Sequence, residues 1–247
     1  MAENRSIAFL LAIAACLALA ACARVGVKVP GPTAEQAAAE LAARCASLPG
    51  YKALGTMNYQ SAGTKVSGRA AWMGAPPEKL RVEVLSPFGQ PVFRLASDGE
   101  TLMVDAPGED EIRSYSPKAA LSRILGADVS VPEFWCLLAG GVGVPEFSGA
   151  RWEEKSPEFP RADRVLAVTG AFGRVLVRVG LKMPRMVPTR AVYYSLAGQP
   201  RLEVGFAPPG NAFALYSKNA MLLVEVERFE QADAFPEGAF SLQGKPR

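Results

Sequence analysis

The chain has 247 residues, 49% of them hydrophobic, with 27 basic and 24 acidic side chains and a net charge of +3. A charge this nearly balanced, without a basic run, excludes a protein that grips nucleic acid through its phosphates. There is no histidine, which removes Ser-His-Asp and Cys-His nucleophile systems and most catalytic zinc sites.

The N-terminus is built like an export signal. Arg5 precedes an apolar run from Ile7 to Ala21, 15 residues long. That is short of the roughly 20 needed to span a bilayer as a helix, so the run reads as the h-region of a signal peptide. It closes on Leu19-Ala20-Ala21-Cys22, which resembles a bacterial lipobox. The resemblance implies a lipoprotein-type signal over residues 1–21, cleavage before Cys22 and acylation of that cysteine. Ile13-Ala14-Ala15-Cys16 is a second candidate, but processing there leaves Leu17 to Ala21 as an odd apolar start. An ordinary signal that happens to contain cysteine is the third reading. Removing residues 1–21 takes away Glu3 and Arg5, so the charge stays +3. Residues 22–32, with Arg24, Lys28 and Pro30-Gly31-Pro32, form the acylated cysteine and its tether. Two or three acyl chains hold a protein firmly on a membrane, at roughly 0.8 kcal/mol per buried CH₂.

Residues 33–247 are long enough for a single domain of the larger all-β type. A helix is expected from Thr33 to Leu48. Thr33 and Gln36 have capping-box spacing, Ala38, Leu41, Cys45 and Leu48 share a face, and Pro49-Gly50 ends it. From Tyr51 the period becomes two. Leu80-Arg81-Val82-Glu83-Val84 alternates apolar and charged residues, Phe93 and Leu95 flank Arg94, and Asp98-Gly99 marks a hairpin before Leu102 and Val104. Residues 116–139 then read as two short helices. Ser116 precedes Pro117 and Gly126 stops the first; Ser130 and Glu133 repeat the capping-box spacing and Gly140-Gly141 ends the second. Strands return from about Arg151 to Phe229, clearest at 165–169, 174–179, 189–194, 201–206 and 222–229. Ten or so strands in one sheet curl toward a barrel. The first helix and the central pair can fill or cover it.

Once Cys16 is removed and Cys22 acylated, Cys45 and Cys136 remain. In an oxidising compartment they can form a disulfide. Each also lies on an apolar helix face, where a buried free thiol is common, and both readings stay open. Gly140-Gly141-Val142-Gly143 follows a helix and lacks a Gly-Lys-Ser/Thr, so it is a helix stop, not a phosphate loop. Glu109-Asp110-Glu111 and Glu153-Glu154 lie beside turn signals or in charged stretches and read as solvated faces. No residue set points to catalysis, a metal or a cofactor.

What remains is apolar surface. The stripes Leu121, Ile124 and Leu125, and Phe134, Leu137 and Leu138, are either core or the lining of a cavity for acyl chains, since ligand pockets are concave and mostly apolar. Leu121, Ile124, Leu125, Phe134 and Leu138, with Phe93 and Leu95, are the cavity or lid candidates. Leu85-Ser86-Pro87-Phe88-Gly89-Gln90-Pro91 joins two alternating strands with turn chemistry. Phe88 then stands at a hairpin tip, either exposed for insertion into a membrane or a partner's groove, or folded back onto the barrel rim.

Ser86-Pro87-Phe88-Gly89 between two strands is similar to the Asn-Pro-Leu-Gly loop of the LolB family of outer-membrane lipoprotein receptors. Tyr115-Ser116-Pro117, Ile124-Leu125-Gly126 and Leu137-Leu138-Ala139-Gly140 resemble that family's paired helices. The ending Phe235-Pro236-Glu237-Gly238-Ala239-Phe240-Ser241-Leu242 resembles the closing strand of LolA/LolB-like lipoprotein-sorting proteins. The resemblance implies a mainly β fold: an unclosed antiparallel β-barrel with an N-terminal helix and a central helical pair as lid. It implies an apolar cavity for acylated lipoprotein cargo delivered by a LolA-like periplasmic carrier. Phe88, flanked by Pro87 and Gly89, falls where the family has a protruding Leu used to place cargo in the membrane, and Cys22 falls on the family's anchor. Ala23 after the cysteine, rather than Asp, implies the bacterial outer membrane, with the protein facing the periplasm, as a monomer. Two rivals are a carrier of another lipid with the same fold, and a structural envelope lipoprotein whose barrel is packed solid.

Overall fold

The structure is a computed structural model that describes residues 31–61, 63–76, 78–107, 111–207 and 212–242. Cys22, Cys16, the signal and most of the tether lie outside these residues. From Pro32 on, the described residues form one compact unit.

Helix α1, Ala34–Ala46, opens on the expected capping box: the Gln36 amide donates to the Thr33 hydroxyl, and the Thr33 amide donates to the Gln36 side chain. It ends at Ala46, with Ser47 as its cap, two residues before the expected Leu48. Ala34, Ala37, Ala38 and Leu41 make its buried face. Small residues there let the helix lie close to its neighbours.

Six strands follow: β1 Tyr51–Ser61, β2 Thr64–Ala75, β3 Lys79–Leu85, β4 Pro91–Ser97, β5 Leu102–Asp105 and β6 Arg113–Tyr115. Two helices interrupt them, α2 Pro117–Leu125 and α3 Val131–Leu138. Seven more strands complete the sheet: β7 Gly149–Glu153, β8 Arg164–Thr169, β9 Val175–Lys182, β10 Val187–Tyr194, β11 Pro200–Ala207, β12 Ala212–Tyr216 and β13 Ala220–Gln231. Their order is β6-β5-β4-β3-β2-β1-β13-β12-β11-β10-β9-β8-β7. Every neighbouring pair is antiparallel. Among the described residues β6 and β7 do not pair, so the thirteen-stranded sheet is unclosed. Ten or so strands were expected. The additional ones include β6, only three residues long, and β12, which follows Pro208-Pro209-Gly210 and is too short to show a clear alternation.

The β1–β13 ladder, from Tyr51↔Gln231 to Ser61↔Ala220, joins the two halves of the chain. Since successive strands are joined as hairpins, the turns alternate between two rims. The turns after β1, β3, β5, β8, β10 and β12 lie on one rim, called here the distal rim. Those after β2, β4, β7, β9 and β11 lie on the other, the proximal rim, where β1 begins.

The expected alternation in β3 holds: Leu80, Val82 and Val84 are buried, while Arg81 and Glu83 face out and pair at 2.6 Å. The buried face of the sheet and the buried sides of α1, α2 and α3 form one hydrophobic core. A smaller cluster of Phe159, Ala162, Val165 and Val192 packs separately under the loop between β7 and β8. Ser130 and Glu133 form the second expected capping box. Ser116 occupies the cap position of α2, but its side chain makes no cap hydrogen bond. Pro117 at the first helical position and Gly126 in the left-handed conformation (φ 64°) delimit that helix instead.

Candidate functional site

An apolar cavity of about 40 Å³ lies between the sheet and the helical pair. Met57 and Tyr59 of β1, Val66 of β2, Val82 and Val84 of β3, Phe93 and Leu95 of β4 and Leu222 of β13 form its floor. Ile124 and Leu125 of α2 and Phe134 of α3 form its roof. No polar surface lines it, so it offers a chain of methylenes burial and offers a headgroup nothing. Ligand pockets for drug-sized molecules run to roughly 300–1,000 Å³. At about 40 Å³ the cavity is far smaller than that.

Beside it a cleft of about 270 Å³ opens between α2 and strands β1, β2 and β4 to β6, sharing Tyr59, Phe93 and Ile124 with the cavity. These three side chains are the partition between the two spaces. The Tyr59 hydroxyl donates to the Ile124 carbonyl at 2.6 Å, tying the last turn of α2 to the sheet.

The two lid helices are held unequally. At α3, the Tyr51 hydroxyl donates to the Trp135 carbonyl at 3.0 Å and the Trp72 indole to the Leu138 carbonyl at 3.2 Å. Arg201 pairs with Glu133 at 3.3 Å, and just past the helix the Tyr193 hydroxyl donates to the Gly143 carbonyl at 3.0 Å. Burial pushes the Tyr51 and Tyr193 phenols well above their ordinary range, so both stay donors at any physiological pH. Cys45 and Cys136 form a disulfide, Cα to Cα 5.5 Å, which staples α1 to α3. Gly74 makes room for the ring, since a Cβ there would lie 2.1 Å from the Trp135 indole nitrogen. Across to α2, the described polar ties are the Tyr59 hydrogen bond, the exposed Lys118–Asp128 pair at 3.5 Å within the helical segment, and Arg123 against Tyr115. Thus α3 is fixed and α2 is the weaker side of the roof.

Of the seven cavity candidates named from the sequence, the structure brings Phe93, Leu95, Ile124, Leu125 and Phe134 together around the cavity. Leu121 and Leu138 do not line it. Both are wholly buried in the core, because their positions on the helices face the sheet directly and not the gap. Sequence reasoning did not pick out Met57, Tyr59, Val66, Val82, Val84 and Leu222. The signal for Val82 and Val84 was their alternation with Arg81 and Glu83; Tyr59 carried none.

Phe88 is 91% exposed at the tip of the β3–β4 hairpin, on the distal rim. It does not fold back on the barrel. The Gly89 amide donates to the Ser86 carbonyl at 2.9 Å and the Ser86 amide to the Gln90 carbonyl at 2.8 Å, closing the turn, with Gly89 at φ 78°. Val84 and Phe93, register partners at the base of this hairpin, both line the cavity. Pro87 and Gly89 frame the tip. Part of the cavity lining and the exposed phenyl therefore share one hairpin. Among the described residues no group of His, Cys, Asp and Glu could hold a metal ion, and no helix is long and apolar enough to cross a membrane.

Residues 49–140 match the family model described as outer membrane lipoprotein LolB. That span holds the Phe88 hairpin, both lid helices and all of the cavity lining except Leu222. No curated protein matches the chain. Solved structures of similar fold include a LolA superfamily protein from Nitrosomonas europaea, 15% identical, TM-score 0.51, covering 86% of this chain and 99% of that one. A DUF1329 family protein from Desulfovibrio piger is 11% identical with TM-score 0.56, covering 86% and 98%. A domain from Vibrio parahaemolyticus described as an outer membrane lipoprotein-sorting protein is 13% identical with TM-score 0.51, covering 85% and 96%. At these identities the likeness is one of fold.

Proposed function

We propose that this LolB-like chain is a lipoprotein-binding protein that takes acylated lipoproteins from a LolA-like periplasmic carrier and places them in the outer membrane, where Cys22 anchors it. The observation that carries this reading is a cavity without polar lining, roofed by one fixed and one weakly held helix, at the base of the hairpin that carries an exposed phenyl on one rim. Acyl chains displace α2, fill the space it vacates and are shielded from water. Each methylene moved from water to such a site gains about 0.8 kcal/mol, so passage from carrier to cavity to bilayer needs only small differences in burial and no cofactor. Phe88 is the group that touches the membrane at release. The match to the LolB model over residues 49–140 supports the cargo class, and Ala23 after Cys22 supports the outer-membrane address.

The test is transfer in solution. A soluble form starting at Ala23 is mixed with a periplasmic carrier loaded with triacylated lipoprotein, and pull-down locates the cargo. Cargo on this protein is the expected result. Cargo retained by a carrier that is competent with its own receptor overturns the reading and favours either another hydrophobic ligand or a solid barrel.

A further inference from the structure

Eight large apolar side chains are exposed among the described residues, and only Phe88, Phe172 and Leu196 exceed three-quarters exposure, at 91%, 102% and 79%. All three stand on hairpin turns of the distal rim, after β3, β8 and β10. Their turns are built alike. The Ser195 amide donates to the Gln199 carbonyl at 2.8 Å and the Gly198 amide to the Ser195 carbonyl at 2.9 Å, repeating the bonds of Ser86, Gly89 and Gln90. The Gly170 amide donates to the Arg174 carbonyl at 2.9 Å and the Gly173 amide to the Gly170 carbonyl at 3.2 Å. The fourth residue is a left-handed glycine each time: Gly89 at φ 78°, Gly173 at φ 70° and Gly198 at φ 77°. Phe172 is itself left-handed at φ 60°, a costly conformation for an aromatic residue, and it places the ring where no protein atom covers it.

From this repetition we infer that Phe172 and Leu196 join Phe88 as a three-point contact with a phospholipid bilayer, so that the distal rim as a whole rests on the membrane. The occupant is a bilayer and not a protein groove because the tips are separate. They rise from hairpins on both halves of the sheet with polar turn residues between them, which suits a fluid surface into which each side chain sinks independently. The charges agree. Residues 86–90, 170–174 and 195–199 contain no carboxylate and one cation, Arg174, and Lys65 and Lys218 stand exposed on the same rim. The sequence between β5 and β6, at one edge of the sheet, carries Glu109-Asp110-Glu111, and Glu146 precedes β7 at the other edge. The three tip turns, neutral or basic and flanked by Lys65 and Lys218 on the same rim, fit lipid phosphates. Phe172 and Leu196, unlike Phe88, lie outside the span matched by the LolB model. The inference rests on the membrane step of the proposed function, but its readout is separate.

The experiment uses the full mature chain reconstituted into vesicles of phosphatidylethanolamine and phosphatidylglycerol with brominated acyl chains. Phe88→Trp, Phe172→Trp and Leu196→Trp are compared with Val187→Trp on the proximal rim, after subtraction of the native tryptophans and with unchanged thermal unfolding required of each. Loss of fluorescence at 172 and 196 comparable to that at 88, and absent at 187, is the expected result. Quenching at 88 alone, at none of the three, or equally at 187 overturns it. Cargo delivery is followed in the same vesicles. Delivery failing while all three tips are quenched would sink the receptor reading and leave the contact standing.

Discussion

The two rims of the sheet are made by the same device, antiparallel hairpins, and differ in the apolar side chains that their turns expose. Distal turns lift Phe88, Phe172 and Leu196 into solvent. Proximal turns carry Asp98, Glu100, Lys155, Glu158, Asp163 and Arg185, and their exposed apolar side chains, such as Val187 at 46%, stay under half exposed. The cavity lies toward the distal rim; the disulfide and the Tyr51 and Trp72 bonds to α3 lie toward the proximal one, while Tyr193 and Arg201 hold α3 and the loop after it from the distal ends of β10 and β11.

The sharpest way to break this contrast is to put a charge on a tip. Phe88→Glu is expected to abolish delivery while leaving folding and cargo pull-down intact, and Val187→Glu is expected to change neither; normal delivery by Phe88→Glu would remove the role. Next in size is the staple. The bridged cysteines are 91 residues apart, so replacing both by alanine should lower unfolding stability by about 4–5 kcal/mol in the chain-entropy account, read as a fall in denaturant midpoint. A smaller effect is expected at the opposite end. Tyr59→Phe removes one hydrogen bond, about 1 kcal/mol, and should raise amide exchange in α2 with little change in α3. Equal acceleration in both helices would contradict the division into a fixed and a weakly held side.

The smallest effect is one of pH. Hydrogen bonds from the Thr101 and Glu100 amides hold Asp98 below the usual carboxylate range, and the Lys182 ammonium and Met183 amide do so for Asp163. Burial alone would raise Glu153, but its bonds to Arg178 and Arg151 outweigh this and lower it. All three sit at the proximal end. A lowered folded pKa means that the stabilisation is complete above the unfolded pKa, about 4, and is lost as pH falls through the folded value. Acid below about pH 4 should therefore loosen the proximal turns first, seen as earlier amide exchange at 98–101 and 163 than at 86–90.

Much of the frame was readable without coordinates. The capping boxes at Thr33 and Ser130 and the alternation of Leu80, Val82 and Val84 are local rules, and they hold. Depth was not readable. Period fixes which face of a helix is apolar, not whether a neighbour fills the space beyond it, so Leu121 and Leu138 looked like Ile124 and Leu125 until the sheet was seen beneath them. Tyr59 gave no sign because its partner is a carbonyl 65 residues away. The Leu196 tip did have a sign: Ser195-Leu196-Ala197-Gly198-Gln199 repeats the frame of Ser86-Pro87-Phe88-Gly89-Gln90. Phe172 shares only the glycine that follows it.

The missing ladder between β6 and β7 has a mechanical consequence. A fully hydrogen-bonded barrel has a circumference set by its strands, and swelling it means breaking backbone bonds. A sheet with a seam can splay by small changes in twist along its whole width, with every ladder intact. On the proposed function, acyl chains entering the cavity, near 40 Å³ here, would enlarge it in this way. The exposed edges that result are short, three residues in β6 and five in β7. Arg151 and Glu153 charge the second edge, which discourages another chain from adding a strand there. Elasticity at the seam, with little to template polymerisation, would let one site hold acyl chains of different lengths.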